Sequence, residues 1–409
     1  MDTFNAFRSR NFRLYFTGQS ISLIGTWMQR TAIYWIIYIQ THSTVMLGVA
    51  VFAGQFPSFL FSLLGGVVSD RYHRFKVLLT TQIASMIQAT LLAILVIFNH
   101  YEIWEILVLS TLLGIINAFD VPARQAMVYE MVDNKDHLSN AIALNSSMVN
   151  LARLLGPGLA GIVLERFGAG TCFAINAASF AAVLFSLLMM RLPEYVPSKT
   201  SKKVMVELKE GLNYLKRTPE LGYVILSLAL MSLFALPFTT LLPVYAKEIF
   251  KGNASTFGFI NSCFGLGAIF GTIFLASLKP GTNLRKILFF NTLIFGIGLI
   301  LFSHTSYFLL SMLFAIITGI GMMSQITITN TIVQITASPT MRGRVISYYA
   351  MAFFGMQPLG GLLIGTISHF WGTPNTILAE GIIALTIALS FYIFIFRHED
   401  KLKPDTNNF

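Results

Sequence analysis

Twelve long apolar runs dictate what this chain can become. They fall near residues 12–40, 44–68, 76–98, 103–131, 140–165, 168–190, 221–246, 255–278, 284–303, 307–333, 343–368 and 371–396. The hydrocarbon core of a bilayer is about 30 Å thick, so a crossing helix needs roughly 20 mostly apolar residues, and each run reaches that length. Inside lipid a backbone N–H or C=O can be satisfied only by the protein itself, which leaves helices or a closed barrel. Barrel strands are short and alternate in polarity, whereas these runs are long and nearly continuous. The pattern therefore predicts an all-α membrane protein with twelve transmembrane helices. Charged residues make up 11% of the chain, against about 25% in soluble domains, so a water-facing surface of ordinary size cannot be built from it.

The charges that do occur orient the chain. With the N-terminus in the cytoplasm, 22 of the 28 Lys and Arg residues fall on cytoplasmic segments, and only Arg166, Lys247 and Lys251 fall outside. Basic residues concentrate on the cytoplasmic side of membrane proteins, so the net charge of +10 is read as orientation, not as a nucleic-acid surface. A multi-pass protein of the inner (plasma) membrane with both termini cytoplasmic is predicted. The first run extends past the length of a signal-peptide core with no small-residue cleavage site before it, which argues for retention as a membrane helix. Cys172 and Cys263 sit in apolar runs without disulfide or metal spacing, and neither a metal nor a cofactor is expected.

The longest hydrophilic stretch lies in the middle. It opens on Pro193 and Pro197 and continues through Val204–Leu215 with apolar residues on one helical face. Three parts follow: a six-helix bundle over 1–190, a cytoplasmic linker with a short amphipathic helix over 191–220, and a second six-helix bundle over 221–409. The halves repeat weakly. Gly156, Gly161 and Gly168 in one are matched 204 residues later by Gly360, Gly365 and Gly372, a duplication of the kind found in transporters that rock about a midplane site.

The loop after the second run reads Gly65-Gly66-Val67-Val68-Ser69-Asp70-Arg71-Tyr72-His73-Arg74-Phe75-Lys76. It resembles the loop signature of the major facilitator superfamily, with His73 where glycine is usual. The resemblance implies two six-helix bundles and an inner gate. In that gate Gly66 permits close helix approach, Asp70 meets a helix N-terminus, and Arg71 and Arg74 pair with Glu130. Gly156-Pro157-Gly158-Leu159-Ala160-Gly161 is similar to the superfamily's span-5 motif of exporters and antiporters. Physically it offers a kink and a small-residue packing face, with Gly156, Pro157 and Gly161 as its contacts. Gly25–Arg30, Phe119–Ala126 and Asn140–Ser147 resemble the enterobactin-exporter branch, the transmembrane secretion effectors, to which macrolide-efflux pumps are similar. That resemblance implies export of a siderophore, drug or metabolite, with a proton gradient as driver. An importer with the same fold stays open as an alternative.

Charges deep in a membrane are costly and mark function. Asp120 and Arg124 stand one turn apart, and Arg153 is expected at a similar depth. An Asp120–Arg124 or Asp120–Arg153 pair is therefore predicted, either as a proton-coupling acid or as a fixed structural pair. Arg30 and Arg153 are alternatively suited to an anionic solute. Trp27, Gln29, Arg30, Tyr34, Asn117, Asn150, Arg153, Gln325, Asn330, Tyr349, Phe353 and Gln357 are the candidate cavity residues, an aromatic lining with few polar anchors that suits an amphipathic small molecule. Glu380 is read as an outer-ring structural residue. An enzyme would need a nucleophile with its base, or a metal pair, and neither pattern occurs. A non-transporting receptor would be expected to carry a signalling domain, and both tails are short. Small solute, proton and lipid are the expected partners, without nucleic acid, and the chain is expected to act as a monomer.

Overall fold

The computed structural model describes residues 2–99, 101–191, 204–279 and 281–402, and every regular element among them is helical. In chain order these are α1 (Arg10–Thr41), α2 (Thr44–Arg71), α3 (Arg74–Ile97), α4 (Ile103–Met131), α5 (Leu138–Phe167), α6 (Ala169–Leu188), α7 (Val204–Arg217), α8 (Pro219–Phe234), the single turn α9 (Leu242–Val244), α10 (Ala254–Ala276), α11 (Leu284–Ser303), α12 (Phe308–Thr336), α13 (Arg342–Ala350), α14 (Met356–Trp371) and α15 (Thr373–Leu402). Among the described residues, eleven segments are long and apolar enough to cross a membrane. The twelfth is α1, whose 32 residues exceed the needed length but carry Arg13, Gln19, Gln29 and Arg30.

Two runs that read as unbroken are interrupted. The seventh leaves α8 for a 3-10 segment, Leu236–Leu241, then α9 and a π turn at Tyr245–Ile249. Pro237 and Pro243 explain this, because proline donates no N–H and its ring crowds the carbonyl one turn back. The eleventh is split by a π turn at Met351–Gly355 between α13 and α14. Pro358 leaves the Phe354 carbonyl without its usual donor, and a local π turn is one way to absorb that loss.

Packing divides the chain into two units, residues 1–201 with 240–265, and residues 202–239 with 266–409. In the first, α1 packs on α5 and α6, α2 on α4, and α3 on α4 and α6. The closest approach between α2 and α4 is at Gly65, where a methyl group would overlap the Ala118 carbonyl oxygen, whereas a methyl at Gly66 would meet open space. The close-approach role read for Gly66 therefore belongs to its neighbour, a correction of one residue that helix phase decides. Gly161 makes a second tight seam, against Ala254, Ser255 and Gly258 at the start of α10. Polar contacts close the same seam: Ser262 Oγ donates to the Leu154 carbonyl at 2.8 Å and Asn253 Nδ2 to Glu165 Oε1 at 2.5 Å. Nearby, Trp35 stacks on Phe257 with centroids 5.9 Å apart.

In the second unit α11 packs on α12 and α15, while α8 packs on α14 and α15. The amphipathic segment forms α7 as expected, and it docks on α13. Arg344 pairs with Glu210 at 2.8 Å, and Tyr348 Oη donates to the Leu208 carbonyl at 3.0 Å. Tyr214 accepts the Ser338 N–H at 3.1 Å, a bond that favours the phenolate and lowers the phenol's pKa from its usual value. Pro193 and Pro197 of the linker lie outside the described residues. The internal repeat has a backbone counterpart. Gly168 and Gly372, 204 residues apart, end α5 and α14 with φ of +80° and +77°, where a side chain would be strained.

The two adjacent glycines give a direct test. Gly65→Leu should cost more than the ~1–3 kcal/mol usual for overpacking and remove most folded protein, while Gly66→Leu should be tolerated. Thermal melting and monodispersity of the detergent-solubilised variants read the difference.

Candidate functional site

The cluster that stands out is built on α1 and α5. Trp27, Arg30 and Tyr34 are spaced three and four residues apart and so share a face of α1. Arg30 lies over the Trp27 ring at 5.3 Å and over Tyr34 at 5.6 Å, and its Nε donates to Tyr34 Oη at 3.0 Å. Arg153 reaches the same Trp27 ring from α5 at 5.4 Å. Gly156 seats this arrangement, since any Cβ there would overlap the Cβ of Trp27. Each cation–π contact is worth ~0.5–2 kcal/mol depending on desolvation. Two guanidiniums sharing one indole also concentrate positive charge, and each presents a planar fork matched to carboxylates. The arrangement can bind an anion with a flat or apolar body.

Other candidates turn out to be occupied. Gln29 is 1% exposed, and its amide is held on both sides: Nε2 donates to Gln88 at 3.0 Å, and its oxygen accepts from Asn176 at 2.8 Å. It is a polar core residue, not a cavity residue. Asp120, 4% exposed, pairs with Arg124 at 3.2 Å and accepts from Thr81 Oγ1 at 2.9 Å and Gln82 Nε2 at 2.7 Å. Of the two pairings expected for Asp120, the one with Arg124 forms, while Arg153 is turned to Trp27. The reason is local: a partner one turn away on the same helix needs no interhelical register. Asn117 and Asn150 are half-buried.

In the second unit Gln325 is buried and lines a small cavity with Ser227, Thr292, Thr329 and Met231. Tyr349 Oη donates to the Ile326 carbonyl at 3.3 Å and its ring stacks on Phe353 at 6.5 Å. Asn330 accepts from Gln334, and Phe353 and Gln357 are half-buried. Of the inner-gate residues, Arg74 Nη1 meets Glu130 Oε1 at 2.8 Å, Arg71 is exposed, and the Asp70 side chain lies outside the described residues. Sequence reading did not single out Thr81, Gln82, Gln88 or Asn176. Their signal was available: an amide or hydroxyl in the middle of an apolar run needs a partner, though sequence does not say which.

Solved structures of similar fold include a bacterial homologue of the human lysosomal transporter Spinster, inward-facing and occupied. The TM-score is 0.76 at 14% identity, over 95% of this chain and 97% of that one. A POT family transporter in complex with 5-aminolevulinic acid matches with TM-score 0.76 at 14% identity, over 95% and 96%. These likenesses show the fold, and the family match shows the class: a major facilitator superfamily transporter, a multi-pass membrane protein and not an enzyme. Within that class, the transmembrane secretion effector family matches residues 1–408, and the chain belongs to it. It is 28% identical to the staphyloferrin A transporter of Staphylococcus aureus, over 97% of this chain and 98% of that one. It is 21% identical to macrolide efflux protein A of Streptococcus pyogenes over 95% and 96%, and 25% identical to the enterobactin exporter EntS of Salmonella choleraesuis over 87% and 84%. A small-molecule solute and a lipid bilayer follow from that membership.

The Asp120 pair invites a double-mutant test. Asp120→Asn strands Arg124 and should cost about 3 kcal/mol, seen as a lowered melting temperature. Adding Arg124→Gln should restore much of the loss, because the stranded charge is then gone.

Proposed function

We propose that this chain is a secondary active exporter of a small anionic solute of the siderophore class, driven inward-to-outward by a proton gradient through alternating access. It works as a monomer in the plasma membrane with both termini in the cytoplasm, without a cofactor and without nucleic acid. The halves 1–190 and 221–409, joined through 191–220, are the two bodies that alternate, and the Arg74–Glu130 pair with Arg71, Asp70 and the Gly65–Gly66 pair of α2 forms the inner latch. The observation that carries the reading is the placement of Arg30 and Arg153 over Trp27. Such a site attracts a carboxylate- or catecholate-bearing solute and repels a cationic drug, since like charges in a poorly hydrated pocket cost several kcal/mol. Relatives described as a staphyloferrin A transporter and an enterobactin exporter agree with this chemistry. The span-5 Gly156-Pro157 motif favours export over import. Asn117, Asn150, Tyr34 and, in the other half, Gln325, Asn330, Tyr349, Phe353 and Gln357 supply the remaining polar and aromatic contacts.

The test compares secreted and retained siderophore in iron-limited cells with the gene, without it, and with Arg30→Gln or Arg153→Gln. A charge-assisted hydrogen bond is worth ~1.5–3 kcal/mol, so each substitution should weaken apparent affinity roughly 10–100-fold. Secretion that is the same with and without the gene rejects the siderophore reading. Equal transport of a cationic macrolide by wild type and both variants would transfer the function to drug efflux.

A further inference from the structure

Glu380 is an acid of the second unit that the proposed mechanism leaves unused, and its surroundings are unusual. It lies on the buried stripe of α15 formed by Ile377, Glu380, Ala384, Ile387, Ala388 and Phe391, and its exposure is 0%. Neither carboxylate oxygen has a hydrogen-bond partner among the described residues. Asp120 shows what this protein does when it stabilises a charged carboxylate: it surrounds it with Arg124, Thr81 and Gln82. Nothing comparable is built for Glu380.

The elements packed on α15 are α8, α11 and α14. Their titratable side chains are Glu220 and Tyr223 on α8, Arg285 and Lys286 on α11, and His369 on α14, with His304 just past α11 and Tyr392 on α15 itself. Glu220 pairs with Arg285, and Tyr223 lies 6.1 Å from Phe391 between ring centroids, three turns along α15 from Glu380. His304 Nδ1 lies 3.0 Å from Ser303 Oγ, and His369 is exposed. Glu220, Arg285, Lys286, His304 and His369 sit at helix ends, Tyr392 is exposed about three turns along α15 from Glu380, and α12, which shares the small cavity with α15, carries no titratable residue. An ionised carboxylate buried without donor or countercharge is penalised by many kcal/mol, so this packing accommodates the neutral acid. Two turns further along the same stripe, Ile387 and Ala388 border the cavity lined by Ser227, Thr292, Gln325 and Thr329, and Gln325 Oε1 there has no partner among the described residues. Hydroxyls and an amide thus line a small cavity beside this otherwise apolar stripe, on the side of Phe391.

We propose that Glu380 is a proton-binding site of this transporter, protonated in the conformation described here and releasing its proton when the second unit rearranges to hydrate it. The inference rests on the proton-driven export reading. The chemistry is a reversible O–H dissociation, in which the proton leaves to water and the carboxylate stays until it is reprotonated from the other side. Asp120, permanently compensated, is the structural acid.

The test uses the full chain in proteoliposomes, with Glu380→Gln and Glu380→Asp as variants. Infrared spectra at neutral pH should show the carbonyl stretch of a neutral carboxyl in wild type and lose it in the Gln variant. If wild type lacks that band, or the Gln variant keeps it, the proposal is overturned. With staphyloferrin A as probe, a gradient of about one pH unit should support roughly tenfold accumulation per coupled proton in wild type and none in Glu380→Gln, which should still exchange labelled for unlabelled probe. Glu380→Asp should keep part of the accumulation. Undiminished accumulation by the Gln variant overturns the proposal, and so does failure of that variant to fold, because an amide matches the neutral acid in size and charge. If wild type moves no staphyloferrin A, the substrate reading fails, while the infrared comparison, which needs no solute, still decides Glu380.

Discussion

Hydrocarbon offers no hydrogen bonds, and that single deficit organises the molecule. Each backbone must close its own ladder, so the chain is helical wherever it crosses lipid, and each polar side chain within a crossing must find its partner in the protein. Gln29, Gln88 and Asn176 do so as a three-helix amide chain across α1, α3 and α6. Asp120 does so with three donors from α3 and α4. Arg30 and Arg153 are both held against the Trp27 ring. Against that background Glu380 is informative, because its carboxylate has no hydrogen-bond partner among the described residues.

Helices meeting without a hydrophobic drive between them rely on close backbone approach, and here glycine supplies it. Gly65 lets α2 reach the Ala118 carbonyl, Gly156 lets α1 and α5 meet at Trp27, and Gly161 lets α5 meet α10. The Gly156 contact couples packing to chemistry, because the glycine that closes the α1–α5 seam also fixes the indole shared by both arginines. In the second unit Gly360, the repeat partner of Gly156, approaches the Leu233 carbonyl on α8 in the same manner. Three residues before each glycine the halves differ, with Arg153 in one and Gln357 in the other. The duplicated scaffold thus carries charge in one half and an amide in the other.

Sequence by itself determined the class of fold, the number of crossings, the amphipathic α7, the repeat, and the one-turn spacing that made Arg124 one of two candidate partners for Asp120. Each follows from run length, from helical periodicity or from a spacing of one turn, all of which are local. Only the tertiary structure decided that Gly65 and not Gly66 makes the seam, that Gln29 is sealed inside the bundle, and that Arg153 faces Trp27 and not Asp120. It also decided that Glu380, read as an outer structural residue, is wholly enclosed, and that prolines break the seventh crossing beyond α8 into three short pieces. These depend on helix rotation and interhelical register, and a rotation of one residue, about 100° for an α-helix, exchanges a packed position for an open one while leaving the apolar run that encodes it unchanged.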